Sequence, residues 1–290
     1  EMRSMEDGEN DIPSQVHAVL RPYQEIGFQW LCTLAKFSFG GILADDMGLG
    51  KTLQVLTFLA AHPGSRALVV CPSSLVYNWE AECQRFYPSA QIAAVAGTAV
   101  SRQMQIKEWE KQDIIITSYD LLKRDIEYYE NKYFDYMIID EAQYIKNAST
   151  QAAKAAKAIS CGCRFALTGT PIENRLSELW SIFEYLMPGY LYTYKRFKDE
   201  LEGPIAESKD ENARIRLSRL VRPFILRRLK KDVLKELPDK IEEVIYARME
   251  GEQSNLYQAR EKQLLMTLSR QTEAEFKTQK LQILAELTAL

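Results

Sequence analysis

With 290 residues, 46% of them hydrophobic and 27% charged, the chain has enough apolar material for one large globular domain, or for one domain with an appendage. A formal net charge of -3 excludes a uniformly basic nucleic-acid-binding domain and leaves room only for a local basic track. No apolar run is long enough to span a bilayer and no secretory pattern opens the chain, so the expectation is an intracellular protein with no membrane partner. The five cysteines, Cys32, Cys71, Cys83, Cys161 and Cys163, are odd in number and lie mostly in apolar segments, which predicts reduced thiols. Cys161 and Cys163 are too close for a zinc knuckle. With His17 and His62 as the only histidines, no structural zinc site is expected.

In chain order, residues 1–15 read as a flexible lead, with Gly8, Asn10, Pro13 and Ser14 and little apolar content. Pro22 can open a helix in which Ile26, Trp30, Leu31 and Leu34 recur at helical spacing. From residue 40 to about 190 short apolar runs alternate with longer mixed stretches. The runs at 40–44, 67–71, 92–96, 113–118, 136–140 and 164–168 predict buried strands. The stretches at 51–61, 73–86, 119–130, 149–160 and 175–187 predict helices. Continuous apolar strands separated by helix-length segments indicate an α/β domain with a mainly parallel sheet covered by helices on both faces. The strand order is not readable. Residues 190–222 are charged and helix-prone, an insertion in a lobe that spans 16–250. A strand or its approach is predicted at 224–228 and another strand at 242–250. A helical extension follows over 251–290, with Leu281, Leu284, Leu287 and Leu290 on one face that needs a partner.

Chemistry concentrates first in DDMGLGKT, residues 45–52, which follows a strand and opens a helix as a phosphate-binding loop must. Gly48 and Gly50 permit the tight turn that converges backbone amides on phosphates. Lys51 can reach the β- and γ-phosphates, the Thr52 hydroxyl can ligate Mg²⁺, and the helix N-terminus favours negative charge. Where the general pattern has its first glycine, this chain has Asp45. A second signal is YMIIDEAQ, residues 136–143. Acids at the carboxyl end of a buried strand point into the ligand crevice of such sheets. Asp140 can hold the Mg²⁺ shell and Glu141 can orient and deprotonate an attacking water; the plain alternative is a strand ending in two solvated acids. In the third segment, ALTGTPIEN, residues 166–174, Thr168, Gly169 and Thr170 stand where a γ-phosphate could be sensed, while Thr170 followed by Pro171 is also good helix-capping chemistry.

Taken in order, DDMGLGKT, LVVCPSSLVYNWEAE, IIITSYDLL, IIDEAQYIKN, LTGTPIENRLSELWSIFEYLMPG and FILRRLKKDVLKELPDK resemble the Swi/Snf family of superfamily-2 helicase-like ATPases, from about Leu20 to Lys240. The resemblance implies a RecA-like first lobe, Mg²⁺ and ATP as cofactor and substrate, and double-stranded DNA as the track. DNA binding by this lobe alone is expected to be weak. Lys51, Asp140 and Glu141 take the family's catalytic positions. Asp46, Met47, Gly48, Leu49, Gly50, Lys51 and Thr52 form its nucleotide loop, and Thr52 and Asp140 supply its metal ligands. Gln24 matches the glutamine that reads adenine; otherwise it is a surface glutamine. Pro72 and Ser73, and Thr117 and Ser118, match blocks that face the DNA backbone, where short hydroxyls and amides suit contacts without sequence information. Trp79 matches the first of these blocks and Tyr119 the second, although Trp79 itself reads as core. Gln143 replaces the histidine that often ends the helicase box and, with Thr168, Gly169 and Thr170, is placed in coupling to the other lobe.

No block resembling a second lobe precedes Leu290, so the arginine that such a lobe supplies is not expected within this chain. Such an arginine can be worth ~10³ or more in rate, which predicts little turnover by the chain alone. The basic stretch 227–235 reads as a solvated helix face. A DNA-dependent ATPase lobe is the leading expectation, located in the cytoplasm or nucleoid of a bacterium or the nucleus of a eukaryote. The competing reading is a RecA-like module that binds nucleotide or protein without catalysis. An unrelated P-loop kinase fits the long matching blocks poorly.

Overall fold

The protein is described by a computed structural model covering residues 10–169, 175–233, 249–269, 283–284 and 288. The chain forms two compact units, Glu1–Leu237 and Pro238–Leu290. In the second, the described residues include α12 (Gly251–Ser269). The strand expected at 242–250 lies almost wholly outside the described residues, as do the extreme N-terminal lead and three of the four leucines of the expected C-terminal apolar face.

Parallel pairing organises the first unit. Seven strands, β1 (Gly41–Leu43), β2 (Ala67–Cys71), β3 (Ile92–Ala94), β4 (Ile114–Ser118), β5 (Tyr133–Ile139), β6 (Ser160–Leu167) and β7 (Ile225–Leu226), form one sheet in the order β3-β4-β2-β5-β6-β1-β7. Every pair is parallel. The helices between them are α1 (Pro22–Lys36), α2 (Lys51–Ala60), α3 (Val76–Phe86), α4 (Ala99–Lys107), α5 (Tyr119–Arg124), α6 (Gln151–Ala158) and α7 (Leu176–Leu186). They cover both faces of the sheet, as the continuous apolar strands require: all residues of β1, β2 and β4 are buried. After α7 come α8 (Tyr194–Phe197), α9 (Gly203–Glu207), α10 (Glu211–Val221) and the short α11 (Lys230–Val233), so the stretch 190–222 is helical as expected.

Three departures from the sequence reading have physical causes. Strands β5 and β6 begin earlier than their apolar runs, pairing from Tyr133 with Ser160 onward. At those amino ends exposed and half-buried residues break up the buried run, so a search for continuous apolar runs finds only the doubly covered part. The helix expected over 119–130 stops at Arg124 and passes into a 3₁₀ turn at Ile126–Tyr129. Asp125 is buried there and accepts hydrogen bonds from Arg102 Nε at 2.5 Å and Nη2 at 2.9 Å. Helix α4, which carries Arg102, has no strong apolar stripe; it starts because the Thr98 side chain accepts a bond from the Ser101 amide.

One packing contact seats the functional elements on each other. Phe58 of α2 is fully buried, edge-on to Tyr136 of β5 at 4.7 Å and to Phe165 of β6 at 5.3 Å. Phe58→Ala should lower unfolding stability by about 3–5 kcal/mol, measured by chemical denaturation, with Phe58→Leu milder. A loss for Phe58→Ala below about 1 kcal/mol would show that this contact does not hold α2 to the sheet.

Candidate nucleotide and metal site

Strands β5, β6 and β1 are neighbours, and their last residues are in register: Leu43 pairs with Leu167, and Ile139 with Ala166. The segments that follow them therefore emerge side by side. They are the loop 44–50, Asp140 with Glu141, and Thr168 with Gly169. Thr170 lies outside the described residues.

The loop has the backbone its glycines imply. Gly48 and Gly50 have φ of +82° and +75°, and α2 begins at Lys51. Gly50 is doubly constrained, because a Cβ there would lie 2.4 Å from Gln24 Nε2. Lys51 Nζ donates to the carbonyls of Asp45 at 2.7 Å and Asp46 at 3.3 Å. Burial lowers the lysine pKa, while Asp140, Asp45, Glu141 and Asp46 oppose that shift. Met47 is exposed, whereas Leu49 is buried and offers its carbonyl to the loop's braces.

Asp140 is held on three sides. Trp79 Nε1 donates to its Oδ2 at 2.9 Å, the Glu141 amide donates to its Oδ1 at 2.9 Å, and the Tyr119 hydroxyl donates to its carbonyl at 2.8 Å. Burial pushes its pKa up, and the Trp79 and Glu141 hydrogen bonds pull it back down. Glu141 has φ +53°, a left-handed conformation that costs a non-glycine residue energy. Its Oε2 accepts from Gln143 Nε2 at 2.8 Å, and Gln143 Oε1 accepts from Thr168 Oγ1 at 3.4 Å. A relay of side chains thus runs from the acid of β5 to the end of β6. Tyr119 also stacks on the exposed Tyr144 at 5.0 Å.

Other predicted residues stand differently. Gln24 is no surface residue: it is buried, Nε2 donates to the Leu49 carbonyl at 3.2 Å, and Oε1 accepts from the Arg21 amide at 2.9 Å. One end of the amide braces the loop and the other caps α1. Ser73 is exposed beside the buried Pro72. Thr117 and Ser118 are buried and present no face to a DNA backbone; Thr117 sits in a central strand, and Ser118 caps α5 by accepting from the Leu121 amide. Trp79 is core, as expected, yet its indole N–H also grips Asp140. Within the stretch 227–235, the described residues 227–233 are not simply a solvated face, since Arg228 makes an ion pair with the fully buried Asp45. Sequence reasoning missed that pair, although an acid in a glycine's place was its visible signal.

The donor set suits a hard divalent cation shared with phosphates. Asp140 offers one carboxylate and Thr52 one hydroxyl, and among the described residues no three His, Cys, Asp or Glu side chains form a metal cluster.

Comparison with known proteins decides the family. Residues 23–290 match the SNF2-related domain. The chain belongs to the SNF2-related family. Among curated SNF2-related proteins it is 38% identical over 273 residues to the TATA-binding protein-associated factor MOT1 of Saccharomyces cerevisiae, covering 85% of this chain and 15% of that protein. It is 43% identical over 243 residues to an ATP-dependent helicase of Mycoplasma genitalium, covering 82% and 23%. The chain thus spans less than a quarter of the length of these relatives. A solved SWI2/SNF2 ATPase core of Sulfolobus solfataricus in complex with dsDNA superposes with a TM-score of 0.72 at 39% identity, over 96% of this chain and 60% of that one. The RecA-like fold and its parallel sheet are therefore those of the family.

The raised pKa of Asp140 gives a signed expectation. As pH falls through the raised value the carboxylate takes up a proton and ceases to be a cation ligand. Mn²⁺ affinity in the presence of ADP, followed by electron paramagnetic resonance, should begin to fall above the ordinary carboxylate value of about 3.9. Trp79→Phe should move the onset higher still, since it removes a bond that lowers the pKa. An onset near about 4 in both proteins would remove Asp140 from the cation site.

Proposed function

We propose that this chain is the first, ATP-binding lobe of a DNA-dependent ATPase that moves along double-stranded DNA. The observation that carries the proposal is the delivery of Lys51, the Asp140–Glu141 pair and Thr168 to one crevice by three adjacent, in-register strands. Support for DNA as the track comes from the family and from the related SWI2/SNF2 core with bound dsDNA.

Each side chain has a role in hydrolysis. The amides of Asp46 to Thr52 cradle the phosphates, and Lys51 exchanges its two carbonyl partners for phosphate oxygens. Thr52 and Asp140 would hold Mg²⁺, which would supply charge neutralisation to the phosphates. Glu141, aimed by its left-handed backbone and by Gln143, orients a water and accepts its proton on a carboxylate oxygen as the water attacks the γ-phosphorus, while the bond from the γ-phosphorus to the β–γ bridging oxygen breaks and ADP leaves with that electron pair. Gln143, Thr168 and Gly169 report phosphate occupancy to the other lobe. Gln24 braces the loop, and its contact with adenine requires exchange of the Leu49 carbonyl for the base. A second lobe supplies the remaining half of the pocket, so the chain alone turns over slowly. Such a motor works where DNA is, in the nucleoid or the nucleus. Among the described residues no helix is long and apolar enough to cross a membrane.

In the complete protein, Glu141→Gln should keep ATP affinity and lose DNA-stimulated hydrolysis by about 10²-fold or more, measured by nucleotide titration beside phosphate release. Parallel loss of binding and hydrolysis would remove Glu141 as the base. DNA affinity should fall steeply and linearly in log–log form with salt and depend little on sequence. Retention of one sequence at high salt would argue against a backbone-tracking motor. With the 290-residue chain alone, rapid hydrolysis abolished by Lys51→Ala would overturn the requirement for a second lobe.

A further inference from the structure

The phosphate loop is laced to a segment far along the chain. The Ala44 amide donates to the Leu226 carbonyl at 2.7 Å and the Asp46 amide to the Arg228 carbonyl at 3.0 Å, which continues the pairing of β1 with β7 into the loop. Side chains return the contact. The Arg228 amide donates to Asp45 Oδ1 at 3.1 Å, and the Lys230 amide donates to Asp46 Oδ2 at 2.9 Å. Lys230 Nζ reaches within 3.2 Å of where a Cβ on Gly48 would lie.

Arg228 is the centre of this lacing. Its Nε donates to Asp45 Oδ1 at 2.9 Å and its Nη2 to Asp45 Oδ2, a forked grip on a carboxylate with no exposed surface. Nη2 also donates to Gln54 Oε1 of α2 at 2.6 Å, and Nη1 donates to the Tyr23 carbonyl of α1. The guanidinium lies over the Tyr23 ring at 5.3 Å from its centroid. Room for it comes from Gly27, where a Cβ would lie 2.8 Å from Nη2 and 1.8 Å from Gln54 Oε1. One side chain therefore ties the first helix, the loop, the helix after the loop and the segment after β7 together. The same Asp45 whose carboxylate it grips offers its carbonyl to Lys51 Nζ.

We infer that Arg228 is a positioning residue for phosphate binding: through Asp45 it fixes the loop that Lys51 must act from, and residues 225–230 form a strap whose state follows the occupancy of that loop. A lysine cannot replace it fully, because one ammonium cannot fork onto Asp45 and also serve Gln54 and Tyr23. The inference rests on the nucleotide-binding reading of the site.

The test uses the whole chain with Mg²⁺ and compares ATP with AMP, because a loop-positioning role acts on the β- and γ-phosphates. Wild type should prefer ATP. Arg228→Gln should lower ATP affinity by about tenfold or more while changing AMP affinity by less than about twofold, with Arg228→Lys between. Asp45→Gly combined with Arg228→Ala removes both charges together and should melt higher than Arg228→Ala alone, which leaves the acid buried and unpaired. In wild type, ATP should slow amide hydrogen exchange across 225–230, a readout that needs no variant to fold. An unchanged preference in Arg228→Gln, an equal loss of ATP and AMP affinity, or no nucleotide effect on exchange in this segment would overturn the role of Arg228 and leave the site standing. Failure of wild type to bind ATP at all, or to prefer it to AMP, would instead overturn the nucleotide site itself.

Discussion

Parallel strands held in register must end at the same level, and a loop that leaves one of them meets the loops that leave its neighbours. In this protein β1 lies beside β6, which lies beside β5, although β1 is far from both in the chain. Their hydrogen bonds carry Ile139, Leu167 and Leu43 to a common edge, and the polar residues that follow have no other place to go than one crevice. The core behind them is apolar on both faces of the sheet, so a slip of register would move buried side chains as well as the site. Chemistry at the edge is therefore positioned by packing below it. The Phe58 contact with Tyr136 and Phe165 is the local form of that dependence, since it presses the helix of the phosphate loop against the strand of the acids.

Charge in the crevice is arranged around this geometry. Lys51 and Asp140 are each shifted toward neutrality by burial, and each is held nearer to its charged form by neighbours of the opposite kind or by hydrogen bonds. Asp45 is gripped differently, by the forked guanidinium of Arg228. A buried ion pair is weak evidence for stability, but its fork defines distances and directions that an apolar contact cannot. That property suits the base of a loop whose amides must converge on phosphates. The left-handed Glu141 is the complementary device: strain in one residue, supported by the Asp140 and Gln143 contacts, turns a carboxylate into the crevice.

Much of the site was legible because its determinants are local. The glycines, Lys51 and Thr52 lie within one turn and one helix start, and the positive φ of Gly48 and Gly50 is the conformation that glycine permits. Apolar runs located the strands wherever both faces are covered, and missed the partly exposed amino ends of β5 and β6. Residue type misled where burial decides the outcome. Thr117 and Ser118 have the hydroxyls that suit a phosphate backbone, but they occupy a central strand and a helix cap. Trp79 was readable as core, whereas the partner of its indole N–H was not, because Asp140 lies 61 residues further on.

The long sequence blocks carried the resemblance to the family; by itself the sequence determined the parallel α/β class and the phosphate loop with its following acids. These follow from periodicities and short motifs whose physical causes act over a few residues. Tertiary structure alone decided the strand order that joins those motifs, the burial of Gln24 against the loop, and the union of Asp45 with Arg228 across 183 residues. Such a contact has only a faint local signature, the acid at Asp45 in a glycine's place, since Arg228 taken alone reads as an ordinary surface charge. Only the folded chain shows that Asp45 is sealed from water, and a sealed carboxylate needs the guanidinium that the fold brings to it.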